Sequence, residues 1–217
     1  MHYTIDFHTH SIFSPDGGIT KKEYEKILAE KKLDAVAVTD HHSVEYALYC
    51  QKKIGERILV GEEMTSQAGH VIGLFLKKTI SSGLSLEETI ERIHEQEGLV
   101  YIPHPFDSAR HGIGRENLQT IEGEIDILES FNARIIFRSQ NKRAKEFALA
   151  HTIRQAAGSD AHSGSALGFT YTVLSKMPTV QTLPVLLSNA TYQTDYLPFL
   201  SYFQPKLNRI RKRLYER

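Results

Sequence analysis

The sequence holds one cysteine and no net charge, and no apolar run in it approaches ~18 residues. Each shortage closes off a class of protein. A lone thiol, Cys50, cannot build an intrachain disulfide framework and fits a reducing compartment. Cys50 falls in a helix-like stretch, where a buried, inert thiol is expected. Without a long apolar run no transmembrane helix is predicted. Basic and acidic residues number 26 each, so bulk charge points to neither a nucleic-acid nor a membrane partner. The opening MHYTIDFHTH lacks the basic and apolar regions of a secretory leader, and a cytoplasmic enzyme is the expectation. No glycine-rich loop of the dinucleotide-binding type is present, nor a polymerase module.

What is there is enough for a core. At 217 residues, 41% of them hydrophobic, the chain reads as one large globular domain, or one domain with an appendage. Short apolar runs alternate with helical periodicities. Met1–Ile5 opens as a strand and leads into Asp6-Phe7-His8-Thr9-His10-Ser11; Ser14–Gly18 is a turn by composition. Thr20 with Glu23, and Ser85 with Glu88, have the spacing of capping boxes at helix starts. Strands are expected at 34–39, 58–60, 69–76, 99–102, 126–128 and 153–157, with helices after 44, 85 and 141. Strands alternating with helices imply right-handed βαβ units and a parallel sheet. About seven such units fit a distorted (β/α)7, TIM-barrel-like α/β fold better than an open sheet, with the active site at the C-terminal ends of the strands. The barrel is assigned to residues 1–180. Residues 181–217 form a C-terminal extension whose basic stretch, 207–217, is expected to dock as a helix, a nucleic-acid or acidic-lipid patch being the sharper alternative.

Strict alternation along the first strand would put Asp6, His8 and His10 on one face and Ile5, Phe7 and Thr9 on the other. Successive strand ends then supply His8, His10, Asp16, His41, Glu63, His104, Asp160 and His162. Eight ligand-type residues so placed exceed what one tetrahedral ion needs. Imidazole with carboxylate suits Zn, Mn or Fe, in a cluster of two or three ions bridged by a carboxylate such as Glu63. Adjacent ions can hold a bridging hydroxide and clamp a phosphoryl group.

The motifs DFHTHS with Asp16 downstream, VTDHH, GEEMT, PHPF and GSDAHS come in the order of the PHP family, named for polymerase and histidinol phosphatase, which residues 2 to 174 resemble. The resemblance implies the distorted (β/α)7 barrel, a centre of two or three metals and hydrolysis of phosphate esters. It carries His8, His10, Asp16, His41, Glu63, His104, Asp160 and His162 over as metal ligands, with His8, His10, Glu63 and Asp160 as the catalytic metal-hydroxide centre. It departs from the family at two points. A further ligand, often a histidine, is expected between the PHP and SDAH motifs, where only Glu129 and the more distant His151 are offered. His42 stands where an acid often follows the second-motif histidine. His70 is a lesser ligand candidate. Asp6 and Asp40 are expected to orient imidazoles from behind.

A phosphate ester also needs cationic donors, and arginine offers a rigid fork matched to phosphate oxygens. Arg110 and Arg134 are the leading candidates, followed by Arg115, with His111 as a candidate acid in the same loop. The expected substrate is a small phosphomonoester, a nucleotide or a short oligonucleotide, nucleic acid being a further partner class. Histidinol phosphate and protein phosphotyrosine are the alternatives within the family. An amidohydrolase-type hydrolase and a non-catalytic metal-binding module are the alternatives outside it.

Overall fold

The structure is a computed structural model that describes residues 2–215. Met1, at the head of the expected first strand, and residues 216–217, at the end of the expected tail helix, lie outside them. In chain order the elements are β1 (Tyr3–Thr9), α1 (Lys21–Ala29), β2 (Ala35–His41), α2 (Glu45–Ile54), β3 (Ile58–Ser66), β4 (Gly69–Leu74), α3 (Leu86–His94), β5 (Leu99–Ile102) and α4 (Gly114–Thr120). There follow β6 (Ile127–Asn132), α5 (Ser139–Ala150), β7 (Gln155–Gly158), β8 (Thr170–Leu174), α6 (Leu183–Leu187), β9 (Thr191–Thr194) and α7 (Gln204–Tyr215). Both expected capping boxes form. Thr20 and Ser85 each accept from the backbone N–H of the glutamate three residues on, whose side chain returns the bond. Among the described residues no helix is long and apolar enough to cross a membrane.

Among the described residues nine strands join one sheet in the order β7-β6-β5-β4-β3-β2-β1-β8-β9. It curls until its ends nearly meet. Just past β7, Ala161 bridges to Thr9 of β1, and His10 N–H donates to the Ala161 carbonyl at 2.8 Å. The result is an α/β fold with a nearly closed, barrel-like sheet. It is not uniformly parallel. β1–β2–β3 and β5–β6–β7 are parallel runs, but β4 is antiparallel to both of its neighbours. Only Gln67 and Ala68 separate β3 from β4, whereas a parallel crossover needs about a dozen residues. β8 pairs antiparallel with the first half of β1 and carries β9 at its far edge. The segment beyond residue 180 therefore adds α6 and β9 around the same sheet before α7 begins.

Strict alternation along β1 also gives way. Asp6 pairs with Val36 and Thr9 with Val38, so three steps on β1 match two on β2, a bulge. Phe7 stays with Ile5 in the apolar filling of the barrel, with Ala35, Ala37, Ile72, Tyr101 and Ala156. Thr9 turns outward to the Tyr24 hydroxyl of α1 at 2.9 Å. A second register shift lies between Glu129 and Phe131 on β6. Outside the sheet a larger cluster joins Val36, Val38, Val60 and Val100 to Tyr24 and Leu28 of α1, Ala47 of α2, Ile90 of α3 and Phe147 of α5. Leu183 and Leu187 of α6 pack onto the inner cluster. The apolar filling occupies the barrel itself, so the polar strand ends are left to face one another at its rim.

Two outcomes check this packing. Replacing Ser85 by Ala removes an exposed cap and is expected to cost about 1 kcal/mol, read as a lower urea midpoint at unchanged slope. Cys50 is fully buried in α2, and burial pushes its thiol up to about 12. It should resist a thiol reagent at pH 8 in the native protein and react fully in denaturant.

Candidate metal centre

His8 and His10 leave β1 on the rim side of the bulge. His8 Nδ1 lies 3.0 Å from Glu129 Oε1. Glu129 of β6 also accepts from the Tyr101 hydroxyl at 2.9 Å, the His104 N–H at 2.7 Å and Asn132 Nδ2 at 2.9 Å. A carboxylate offers no proton, so His8 Nδ1 must supply the one between them. The Nε2 lone pair then faces inward. It meets His10 Nε2 at 3.1 Å and Glu63 Oε2 at 3.3 Å. β7 reaches this cluster only because residue 158 is glycine. A Cβ there would stand 2.4 Å from Glu129 Oε1 and 2.8 Å from His8 Cβ.

Glu63, on β3, is the hub. Its two oxygens lie 3.2 Å from His10 Nε2, 3.5 Å from His41 Nδ1, 2.8 Å from His70 Nδ1 and 3.1 Å from His104 Nε2. Across the rim Asp16 lies 3.7 Å from His41 and 3.4 Å from His162, and Asp160 lies 3.4 Å from His10. Four overlapping groups of convergent donors result: His10-Asp16-His41-His162, His8-His10-Glu63, His8-His104-Asp160 and His41-Glu63-His70. His104 and Asp160 both hold left-handed φ, 27° and 53°. That conformation costs a non-glycine residue about 1 kcal/mol, and here it aims both side chains at the cluster.

The donor chemistry fits divalent ions. His41 Nδ1 and His70 Nδ1 are buried without a hydrogen bond, although Glu63 is close to both. Lone pairs packed this tightly repel unless a cation stands among them. Burial would drive the His8 and His10 imidazoles down, yet the carboxylates Asp160, Glu129 and Glu63 hold His8 well above its usual range, and Asp160 and Glu63 lift His10 to about 9. Burial would likewise raise Glu63 and Asp160; imidazoles hold the first well below the carboxylate range, and Arg134 with His8 holds the second there. Burial dominates elsewhere and takes His41 down to about 3 and His162 to about 4, leaving them neutral as ligands require; on His8 and His10 a proton answers the carboxylates in the place a cation would fill, and a bound ion would displace it.

All eight residues read from the strand ends thus converge, and His70 joins them from β4. Glu129 stands behind His8 and His104. Arg110 and Arg134 also arrive: Arg110 Nη1 and Arg134 Nη1 both donate to Asp160, the latter at 3.0 Å, and Arg110 Nε donates to Asp107 at 2.8 Å. Other expectations need correction. Asp6 and Asp40 touch no imidazole. Asp6 accepts the backbone N–H groups of Ser159 and His8, and Asp40 accepts the N–H and hydroxyl of Ser11, so both tie strand ends together. Arg115, on α4, lies over the Phe147 ring at 5.5 Å, outside the cleft. His151 pairs with Glu122 at 2.8 Å, far from the donor groups. His42 and His111 stay exposed on the rim, His111 beside the His70 ring.

Four contributors were not foreseen. Tyr202, Lys206 and Arg209 line the cleft above the donors, a cavity of about 300 Å³, and Asn208 donates to the Asp16 and His162 carbonyls at 2.9 Å each. Arg209 Nη2 donates to Asp16 Oδ2 at 2.8 Å. Of the four only Arg209 had a signal in the sequence, the basic character of the 207–217 tail.

Because Glu129 fixes the His8 ring, Glu129→Gln should weaken metal binding about 10- to 100-fold in a chelator-competition titration while the circular dichroism spectrum is retained. Unchanged affinity would mean that Glu129 does not set the ligand.

The model of the PHP domain matches residues 6–160, and that of a PHP-associated region matches residues 138–186. An uncharacterised protein of Methanocaldococcus jannaschii is 31% identical over 177 residues, 80% of this chain and 71% of the relative. Among solved structures, a two-domain protein of Bacteroides vulgatus described as containing a predicted PHP-like metal-dependent phosphoesterase superposes with a TM-score of 0.73 at 17% identity, over 96% of this chain and 70% of that one. The lesion-specific endonuclease EndoQ of Pyrococcus furiosus superposes with a TM-score of 0.61 at 16% identity, over 89% and 57%. Those two likenesses are of fold. The domain match covers most of the sequence and contains every ligand-type residue named above except His162, so the chain belongs to the PHP domain family.

Proposed function

We propose that the chain is a metal-dependent hydrolase of phosphate esters, acting on a small phosphomonoester, a nucleotide or a short oligonucleotide. One juxtaposition carries this reading: two part-buried guanidinium groups, Arg110 and Arg134, converge on the same carboxylate, Asp160, that closes the donor cluster. An amide hydrolase has no need of paired arginine forks at the reacting centre, whereas a phosphoryl group presents the oxygens they match. His8, His10, His104, Glu63 and Asp160 would hold one part of a centre of two or three Zn, Mn or Fe ions, and Asp16, His41 and His162 another. His70 adds a donor on the Glu63 side. Bound ions supply an activated water and neutralise phosphoryl charge.

The chain's own residues do the rest. Glu129 holds His8 in its ligand tautomer. Arg110 and Arg134 bind and orient the phosphoryl oxygens and stabilise charge that grows on them. His111, exposed at the rim, is the candidate acid that would protonate the leaving alcohol. The endonuclease among the structural neighbours supports a nucleotide-type ester over histidinol phosphate or phosphotyrosine.

Metal analysis of the purified protein followed by a phosphate-release screen across these classes tests the reading. His8→Ala, Glu63→Gln and Asp160→Ala should each lower aryl phosphate hydrolysis by at least about 10²-fold with the fold intact. Wild-type rates in all three would remove the centre from the chemistry.

A further inference from the structure

We infer that the outward face of α7, with the 199–203 turn before it, is a docking surface for an anionic lipid bilayer, on which the chain rests without crossing it. This does not depend on the reaction proposed above. An amphipathic helix ordinarily turns its apolar stripe to the core. α7 does the reverse. Phe203, Leu207, Ile210 and Leu214 recur at spacings of four, three and four, which sets them in one stripe along the helix. All four are exposed, between 45% and 67%. The opposite side is the one that docks. Asn208, Arg209 and Lys212 hold it to Asp16, His162, Ile12 and Ser14 by polar bonds. The stripe is therefore held outward by the helix's own anchors. It also continues beyond the helix. Phe199 and Leu200 are 75% and 76% exposed. The Tyr202 hydroxyl beside them donates to the Ala133 and Ile135 carbonyls, in the loop that goes on to expose Ile136 and Phe137.

The charge around the stripe selects its occupant. Residues 199–217 hold six cations against one acid, Glu216. At 3.6 residues per turn, Lys206 and Arg213 fall along one edge of the stripe and Arg211 along the other. All three are exposed, and among the described residues none of them makes an ion pair. A second copy pairing stripe to stripe would set these cations against their own counterparts. A nucleic-acid strand would take the cations but leave leucine and isoleucine wet, since neither offers a flat face on which a base can stack. An anionic bilayer answers both features. Its headgroups meet the cations, and the boundary of its acyl chains takes the apolar side chains. Phe and Leu along one face, edged by Lys and Arg, is the composition of helices that lie in that interface. Twelve helical residues span about 18 Å, too little to cross a hydrocarbon core of about 30 Å. Because Tyr202 and Lys206 also line the metal cleft, docking sets its mouth beside the lipid surface.

The full chain is sedimented with sucrose-loaded vesicles of phosphatidylcholine alone and of phosphatidylcholine carrying about 30% phosphatidylglycerol, at about 0.1 M salt. It should bind the mixed vesicles at least about tenfold more tightly than the neutral ones. Leu207→Gln, Ile210→Gln and Leu214→Gln together leave every anchor of α7 in place and should lower that binding at least about tenfold, with the circular dichroism spectrum retained. Arg211→Gln alone should lower it about fivefold. The chain has no tryptophan, so Phe203→Trp adds a single reporter, whose emission should shift to the blue on mixed vesicles and be quenched by brominated acyl chains. No sedimentation with either vesicle, binding that the triple variant retains, or emission that the mixed vesicles leave unmoved overturns the docking surface. Light scattering of the full chain without lipid should give a monomer; a dimer that the triple variant dissolves gives the stripe to a second copy and overturns the proposal. Single-stranded DNA bound by the full chain and lost by the triple variant gives it to nucleic acid and overturns the proposal equally.

Discussion

A buried carboxylate that five imidazoles approach is the constraint on which the upper half of this molecule depends. Glu63 is essentially inaccessible to water, as are His8, His10 and His104 around it. Such a group is costly to bury unless positive charge or hydrogen bonds compensate it. Its neighbours here are mostly lone pairs aimed at shared points, so the compensation that fits is a cation. This explains why so many backbone irregularities collect at one end of the barrel. The bulge in β1, the register shift in β6 and the left-handed φ values at His104 and Asp160 each turn a strand end so that a donor reaches the cluster.

The reversed strand β4 belongs to the same logic. A parallel strand in that place would begin at the far end of the barrel. The two-residue link after β3 instead starts β4 at the rim, where His70 pairs in register with Thr65 and comes within reach of Glu63. The interval between the PHP and SDAH motifs adds no donor to the four groups before Asp160, and His70, from another element, joins one of them. Glu129, which does lie in that interval, does not enter the four donor groups; it braces His8 and His104 from behind.

How much of this was legible in the sequence follows from the range of the forces involved. Capping boxes are local, and Thr20–Glu23 and Ser85–Glu88 formed as their spacing implied. Strand ends are nearly local, since an apolar run broken by Asp, His or Glu marks where a strand leaves the core, and that pattern located His8, His41, Glu63, His104 and Asp160. Side-chain direction past a bulge is not local. Asp6 reads as a face-mate of His8 under strict alternation, but the extra residue sends it to the Ser159 backbone. Arg110 and Arg115 sit in one basic loop, and the sequence favours Arg110 without a physical reason to exclude Arg115. Tertiary packing separates them, laying Arg115 over Phe147 and holding Arg110 on Asp160 through Asp107. That the tail docks as a helix was expected, but where α7 docks was least legible, because its anchors include carbonyls some 200 residues earlier in the chain, and a backbone acceptor leaves no mark in composition.

The arginines share one further property. Arg110 and Arg134 both hold Asp160, and Arg209 holds Asp16. Each fork is therefore parked on a carboxylate that also belongs to a donor group, and these oxygens cannot fully serve a guanidinium and a divalent ion together. Positive charge at the rim is thus supplied by guanidinium groups at the same carboxylates that the donor groups share. Charge balance at Asp16 and Asp160, rather than any single ligand, is what couples the donor cluster on the strands to the arginines on the loops and on α7.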